Sequence, residues 1–189
     1  LGKPGNPAKG GLPIDEYTRR QSQFRAAEIS ALLDTGYFIE RAERLYQYPH
    51  FICDTGGSIC EWVNAEDPAD PVLSALAAHT LMVWIEGSQD HTAELIRRFD
   101  RAPKPMAYMP EFLARTWAEY RALNNQSDAE VDPDAFIRWT YAQALAHRQP
   151  RYAAIARHWG VTVQADDVAR VHSPQDFDAL IAQAIAAKS

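Results

Sequence analysis

The sequence predicts an α/β fold, a helix-rich chain built around a parallel sheet. Three short apolar runs, at residues 50–53, 80–85 and 161–163, have the length and character of strands. They alternate with longer stretches of helical periodicity, the pattern of crossover connections between parallel strands. The first run also stops abruptly at Asp54, Thr55, Gly56 and Gly57. A buried parallel strand looks like this where its C-terminal end opens into a loop that meets a ligand.

Taken in order, residues 1–13 are rich in Gly and Pro and are expected to form an extended connector. The stretch from Gly5 to Gly11 invites comparison with a phosphate loop, but it lacks the required Lys-Ser/Thr and no strand precedes it. Residues 14–33 follow as an amphipathic helix, with Tyr17, Phe24, Ala27 and Ala31 on one face and Asp15 and Glu16 favouring its start. A second helix is expected over 37–46, after Gly36. The strand at 50–53 comes next, then a turn-rich break at 64–71 and a short helix at 72–78. The run 80–85 is uninterrupted and apolar, so it is expected to be buried on both faces.

Ser88 is placed to cap a helix reaching Phe99. Pro103, Pro105 and Pro110 then mark a loop. Two helices, 111–123 and 133–147, make up a helical insertion spanning 109–147. A further helix at 150–159 is ended by Gly160, a third strand is short (161–163), and residues 174–187 close the chain as a helix. All 189 residues are expected to form one α/β domain.

Composition narrows the function classes. Hydrophobic residues make up 47% of the chain and charged residues 23%, ordinary for a globular protein with a real core. The net charge of −6, with no cluster of Lys and Arg, argues against nucleic acid or an anionic membrane as partner. No apolar run approaches the ~20 residues of a membrane span, and no signal peptide is evident, so a cytoplasmic location is expected. Cys53 and Cys60 read as reduced thiols. With His50 they lack a fourth ligand and the spacing of a zinc knuckle. Gly57-Ser58-Ile59 lacks the Gly-x-Ser-x-Gly elbow of a hydrolase. The tryptophans are expected to pack in the core.

Several motifs, in their order, resemble those of P-loop small-molecule kinases of the shikimate-kinase-like branch, and also a bacterial ATPase family. Phe24-Arg25-Ala26-Ala27-Glu28 is similar to that branch's helix with a carboxylate-binding arginine. Asp54-Thr55-Gly56-Gly57-Ser58 is similar to its strand-end glycine loop, although Ser58 stands where a third glycine is expected. Val83-Trp84-Ile85 followed by Glu94 to Arg98 resembles the approach to its lid, and Arg101 with Pro105 echoes the lid itself. Arg148, Arg151 and Tyr152 resemble its late Arg-x-x-Tyr helix.

The resemblance implies a three-layer α/β/α P-loop fold, phosphoryl transfer by an ATPase or kinase, and ATP with Mg²⁺ as cofactors. It implies Asp54 as catalytic carboxylate and water-mediated Mg²⁺ holder. Arg25, Glu28, Thr55, Gly56, Gly57 and Arg148 would bind an unknown small-molecule acceptor, and Arg97, Arg98, Arg101 and Arg151 the nucleotide. A homodimer is compatible with it. The Walker A loop and the strand before it are not among these residues, so the chain is expected to be the C-terminal portion of a longer one, with an open apolar seam in its sheet. Ser58 and the long helical insertion suit an alternative, a P-loop-like binding or regulatory module without catalysis.

Overall fold

The computed structural model describes residues 1–188. Its elements are α1 (Ile14–Leu33), α2 (Thr35–Tyr46), α3 (Pro71–Ala77), β1 (Met82–Glu86), α4 (Gln89–Arg101), α5 (Pro110–Asn124), α6 (Pro133–Trp159), β2 (Gly160–Gln164), α7 (Ala165–Val168) and α8 (Pro174–Lys188). β1 and β2 pair in parallel, with Met82 opposite Gly160 and Glu86 opposite Gln164. The fold is therefore helix-rich with a small two-stranded parallel sheet among the described residues. No helix among them is long and apolar enough to cross a membrane.

The chain divides into two compact units. Leu1–Ile29 joins Ala93–Arg148 in the first, and Ser30–Thr92 joins the residues from Gln149 onward in the second.

The first unit is helical. On α5, Phe112, Leu113, Thr116, Trp117 and Tyr120 form one buried stripe at helical spacing. Phe136 and Ile137 on α6, with Tyr17 and Phe99, complete a core rich in aromatic rings. The expected insertion is thus the body of this unit, because its apolar stripes bury one another. Asp132 opens α6 by accepting from the Asp134 and Ala135 amides, each at 3.0 Å, in place of the missing helical acceptors.

Residues 1–13 are not a loose connector. The Asn6 amide donates to the Val131 carbonyl at 2.8 Å, the Gly5 amide donates to the Leu12 carbonyl at 2.8 Å, and Leu1 and Leu12 pack on the core. Gly5, at φ 145°, lies where a Cβ would come within 2.7 Å of the Val131 carbonyl oxygen. Gly and Pro set the local shape of this segment, and tertiary contacts hold it.

A second difference concerns α6, which runs unbroken from Pro133 to Trp159 through Pro150. An interior proline costs about 3 kcal/mol. Buried Ala144 and Arg148 before it, and Ile155 and Ala156 after it, anchor both halves of the helix and offset that cost.

The second unit holds the sheet, and its α3 shows how a loop residue sets a helix start. Asp70, buried, accepts from the Val72 amide at 3.0 Å and the Leu73 amide at 2.9 Å through Oδ1, and from the Asn64 amide at 2.9 Å through Oδ2. Pro71 follows at the first helical position. Asp70→Ala is expected to destabilise the protein by about 2 kcal/mol, the upper end for a lost cap, read as a lower urea midpoint. An unchanged midpoint would remove the cap from the account.

Two strand expectations fail here. Residues 50–53 form no strand: no backbone among the described residues pairs with them in a ladder, and Ile52 is 90% exposed. Apolar sequence supplies strand propensity, but a strand exists only when another backbone pairs with it. Nor is β1 buried on both faces. Ile85 is 51% exposed, and Leu81 just before the strand is 45% exposed.

Candidate functional site

The loop after residue 53 is built by its own polar groups. Asp54, exposed, accepts the Gly56 amide on Oδ1 at 2.9 Å, an Asx turn. Gly56 sits at φ 69° and ψ 157°, a region essentially reserved for glycine. Gly57 begins a 3-10 turn, Gly57–Glu61, and its carbonyl is held twice. Tyr152 on α6 donates its hydroxyl at 2.6 Å, and the Cys60 thiol donates at 3.4 Å. The Tyr152 ring lies 6.4 Å from that of Trp84 on β1. The loop is therefore tied to a core helix that also meets the sheet.

This loop opens on a cavity of about 1170 Å³ within the second unit. Residues 48–56 line it, as do residues 79–85, with Tyr152 and Ile155 of α6 and Phe177 and Ile181 of α8. Its polar groups include Glu43, His50, His79, Asp54 and Asp178, and no Lys or Arg lines it.

Of the residues singled out from sequence, Asp54, Thr55 and Gly56 line this cavity, and Gly57 is the next residue of the loop. Gly56 answers to the turn's geometry before any ligand. Arg25 (exposed) and Glu28 (half-buried) belong to the first unit, as do Arg97, Arg98 and Arg101 on α4. Arg97 and Arg98 pair with Glu94, the latter at 2.7 Å, and the Arg98 hydrogen bond holds the Glu94 carboxyl below its usual range.

Arg148 is buried in the first unit and donates to the Ala107 carbonyl at 2.6 Å. It lies close enough to Tyr17 to oppose the rise in that hydroxyl's pKa, which burial pushes well above the usual range. Arg151, half-buried on α6, does not line the cavity. None of these arginines is among the residues that line the cavity of the second unit.

Sequence reasoning passed over Tyr152 as a site residue, though it is the tyrosine of the Arg-x-x-Tyr motif, and passed over Trp84 and Phe177. Their signal is tertiary: α6 and α8 reach the cavity only through the fold. Among the described residues no three His, Cys, Asp or Glu side chains converge on a common metal position. Compared with known proteins, the chain matches no family model, no curated protein and no solved structure.

Proposed function

We propose that this chain carries the acceptor-and-metal edge of an ATP-dependent phosphoryl-transfer enzyme, a small-molecule kinase or an ATPase, on a P-loop-type α/β/α sheet. The observation that supports this most is the Asp54–Gly57 turn, tied by hydrogen bonds, with Asp54, Thr55 and Gly56 lining a cavity that β1 residues also line. Binding and catalytic residues are disproportionately on loops held by a rigid scaffold.

In this reading Asp54, with Oδ1 anchored to the Gly56 amide, orients an acceptor hydroxyl or a water and takes its proton. Thr55 and the loop amides border the same space. Bound Mg-ATP would supply the phosphoryl group and neutralise charge on its oxygens. A lone exposed aspartate fits Mg²⁺, which keeps several waters and takes one or two carboxylates alongside phosphate oxygens.

The phosphate-gripping cations must come from beyond the cavity lining. Arg97, Arg98, Arg101 and Arg151 are the candidates that the resemblance supplies for this role. The Arg97 and Arg98 pairs with Glu94 are solvated, so breaking them costs little. Arg148 is committed to the Ala107 carbonyl and has a structural role.

The natural full-length polypeptide provides the test. Mg-ATP at 100 times its dissociation constant is expected to stabilise it by about 2.7 kcal/mol. Asp54→Asn is expected to lower turnover by ~10²–10⁴-fold with an unchanged melting temperature, since the side chain is exposed. Stabilisation without turnover would favour the non-catalytic binding module, which Ser58 in place of a glycine also suits. No stabilisation would end both readings.

A further inference from the structure

The cavity of the second unit carries charge where folding alone would place none. From α8 it takes Phe177, Asp178, Ile181, Ala182 and Ile185, the spacing of one helical face with Asp178 inside the apolar arc. From α2 it takes Ile39, Ala42 and Glu43, with Glu43 one turn beyond Ile39. An apolar residue at either position would extend the stripe, so these two carboxylates answer to something other than packing. Among the described residues neither is paired with a cation, and no Lys or Arg lines the cavity. Trp84 and Tyr152, whose rings lie 6.4 Å apart, add aromatic surface to the same lining.

We infer that the acceptor bound in this cavity is a lipophilic amino alcohol, an apolar chain bearing one ammonium group and one hydroxyl. The fate of the hydroxyl rests on the phosphoryl-transfer reading, whereas the ammonium preference rests on the cavity alone. The aliphatic lining takes the apolar body, and about 1170 Å³ holds a molecule of drug size. Glu43 and Asp178 offset the water that the ammonium gives up, and aromatic rings attract it. An acceptor carrying a carboxylate meets the reverse. Arg25 and Arg148, the residues that the resemblance offers for it, do not line the cavity, and three carboxylates that do line it repel a fourth. Asp54 serves the other end of the acceptor. The hydroxyl oxygen bonds to the γ-phosphorus of Mg-ATP as the bridging P–O bond to ADP breaks, and the hydroxyl proton passes to Asp54.

Titration calorimetry of the natural full-length polypeptide, without nucleotide, compares three probes that differ only at one end: 8-amino-1-octanol, 1-octanol and 8-hydroxyoctanoate. The amine is expected to bind about tenfold tighter than 1-octanol, and the carboxylate to give no saturable heat. The double variant Glu43→Gln/Asp178→Asn is expected to lose about tenfold in affinity for the amine and to hold 1-octanol as before. Both side chains are exposed, so an unchanged circular dichroism spectrum verifies the fold of the variant. Three results overturn the inference: 8-hydroxyoctanoate binding as tightly as the amine, an amine no tighter than 1-octanol, or full affinity for the amine in the double variant. Stabilisation by Mg-ATP separates the two readings. Where it occurs and the amine preference does not, only the acceptor class falls; where the amine binds and Mg-ATP does not stabilise, the acceptor role falls with phosphoryl transfer and an ammonium-binding cavity stands.

Discussion

Phe136→Ala is expected to destabilise the first unit by about 3–5 kcal/mol, a large share of the 5–15 kcal/mol that holds a typical domain folded. Phe136 is fully buried, and two aromatic rings close on its edges and faces. Trp117 sits 4.8 Å away at 78° and Tyr120 5.4 Å away at 81°, both edge-to-face geometries. Truncation removes the buried area, both ring contacts and the filler between α5 and α6, leaving a cavity walled by rigid rings that collapse poorly. Urea unfolding monitored by tryptophan fluorescence measures the loss. Because the units are compact in their own right, the first is expected to unfold at lower urea while amide exchange over β1 and β2 changes little. A shift below 1 kcal/mol would mean that Phe136 is not central to this core.

Gly160→Val is expected to break the sheet of the second unit. Gly160 ends α6, begins β2 and pairs with Met82 across the ladder. A Cβ built there collides with the Met82 carbonyl, which is backbone and cannot swing aside. Overpacking a tight site costs about 1–3 kcal/mol where side chains can adjust, and here the strand itself must move, so at least the upper figure applies. The expected readout is loss of amide protection over Met82–Glu86 together with a changed environment for Trp84. Gly160→Ala should show the same loss in weaker form. Full protection in the valine variant would show that the strands do not approach as closely as their pairing requires.

Much of the fold was legible in the sequence. Helical periodicity placed α1 at Ile14–Leu33, and the ends of α2, α3, α4, α5 and α8 lay within about two residues of expectation. The apolar runs near 82–86 and 160–164 became the two strands, because each found the other as a partner. Ser88, Pro133 and Pro174 lay where helix starts were expected, whereas Pro71 and Pro110, expected in loops, are the first residues of α3 and α5.

The site was legible only in its loop. Asp54 and Gly56 act on one another across two residues, so their turn could be read locally. Tyr152, 95 residues from the carbonyl it holds, could not. The arginines show the same limit: Arg97, Arg98 and Arg148 have the residue type of phosphate clamps, but their partners are Glu94 and the Ala107 carbonyl.

The sequence by itself thus determined where most helices begin and end and which segments have strand propensity. Only the tertiary structure decided that the insertion is a core, that α6 passes through Pro150, and that residues 50–53 stay unpaired beside the open edge of β1. Caps, turns and periodicity are settled by neighbours along the chain, whereas burial and strand pairing depend on groups far away in sequence.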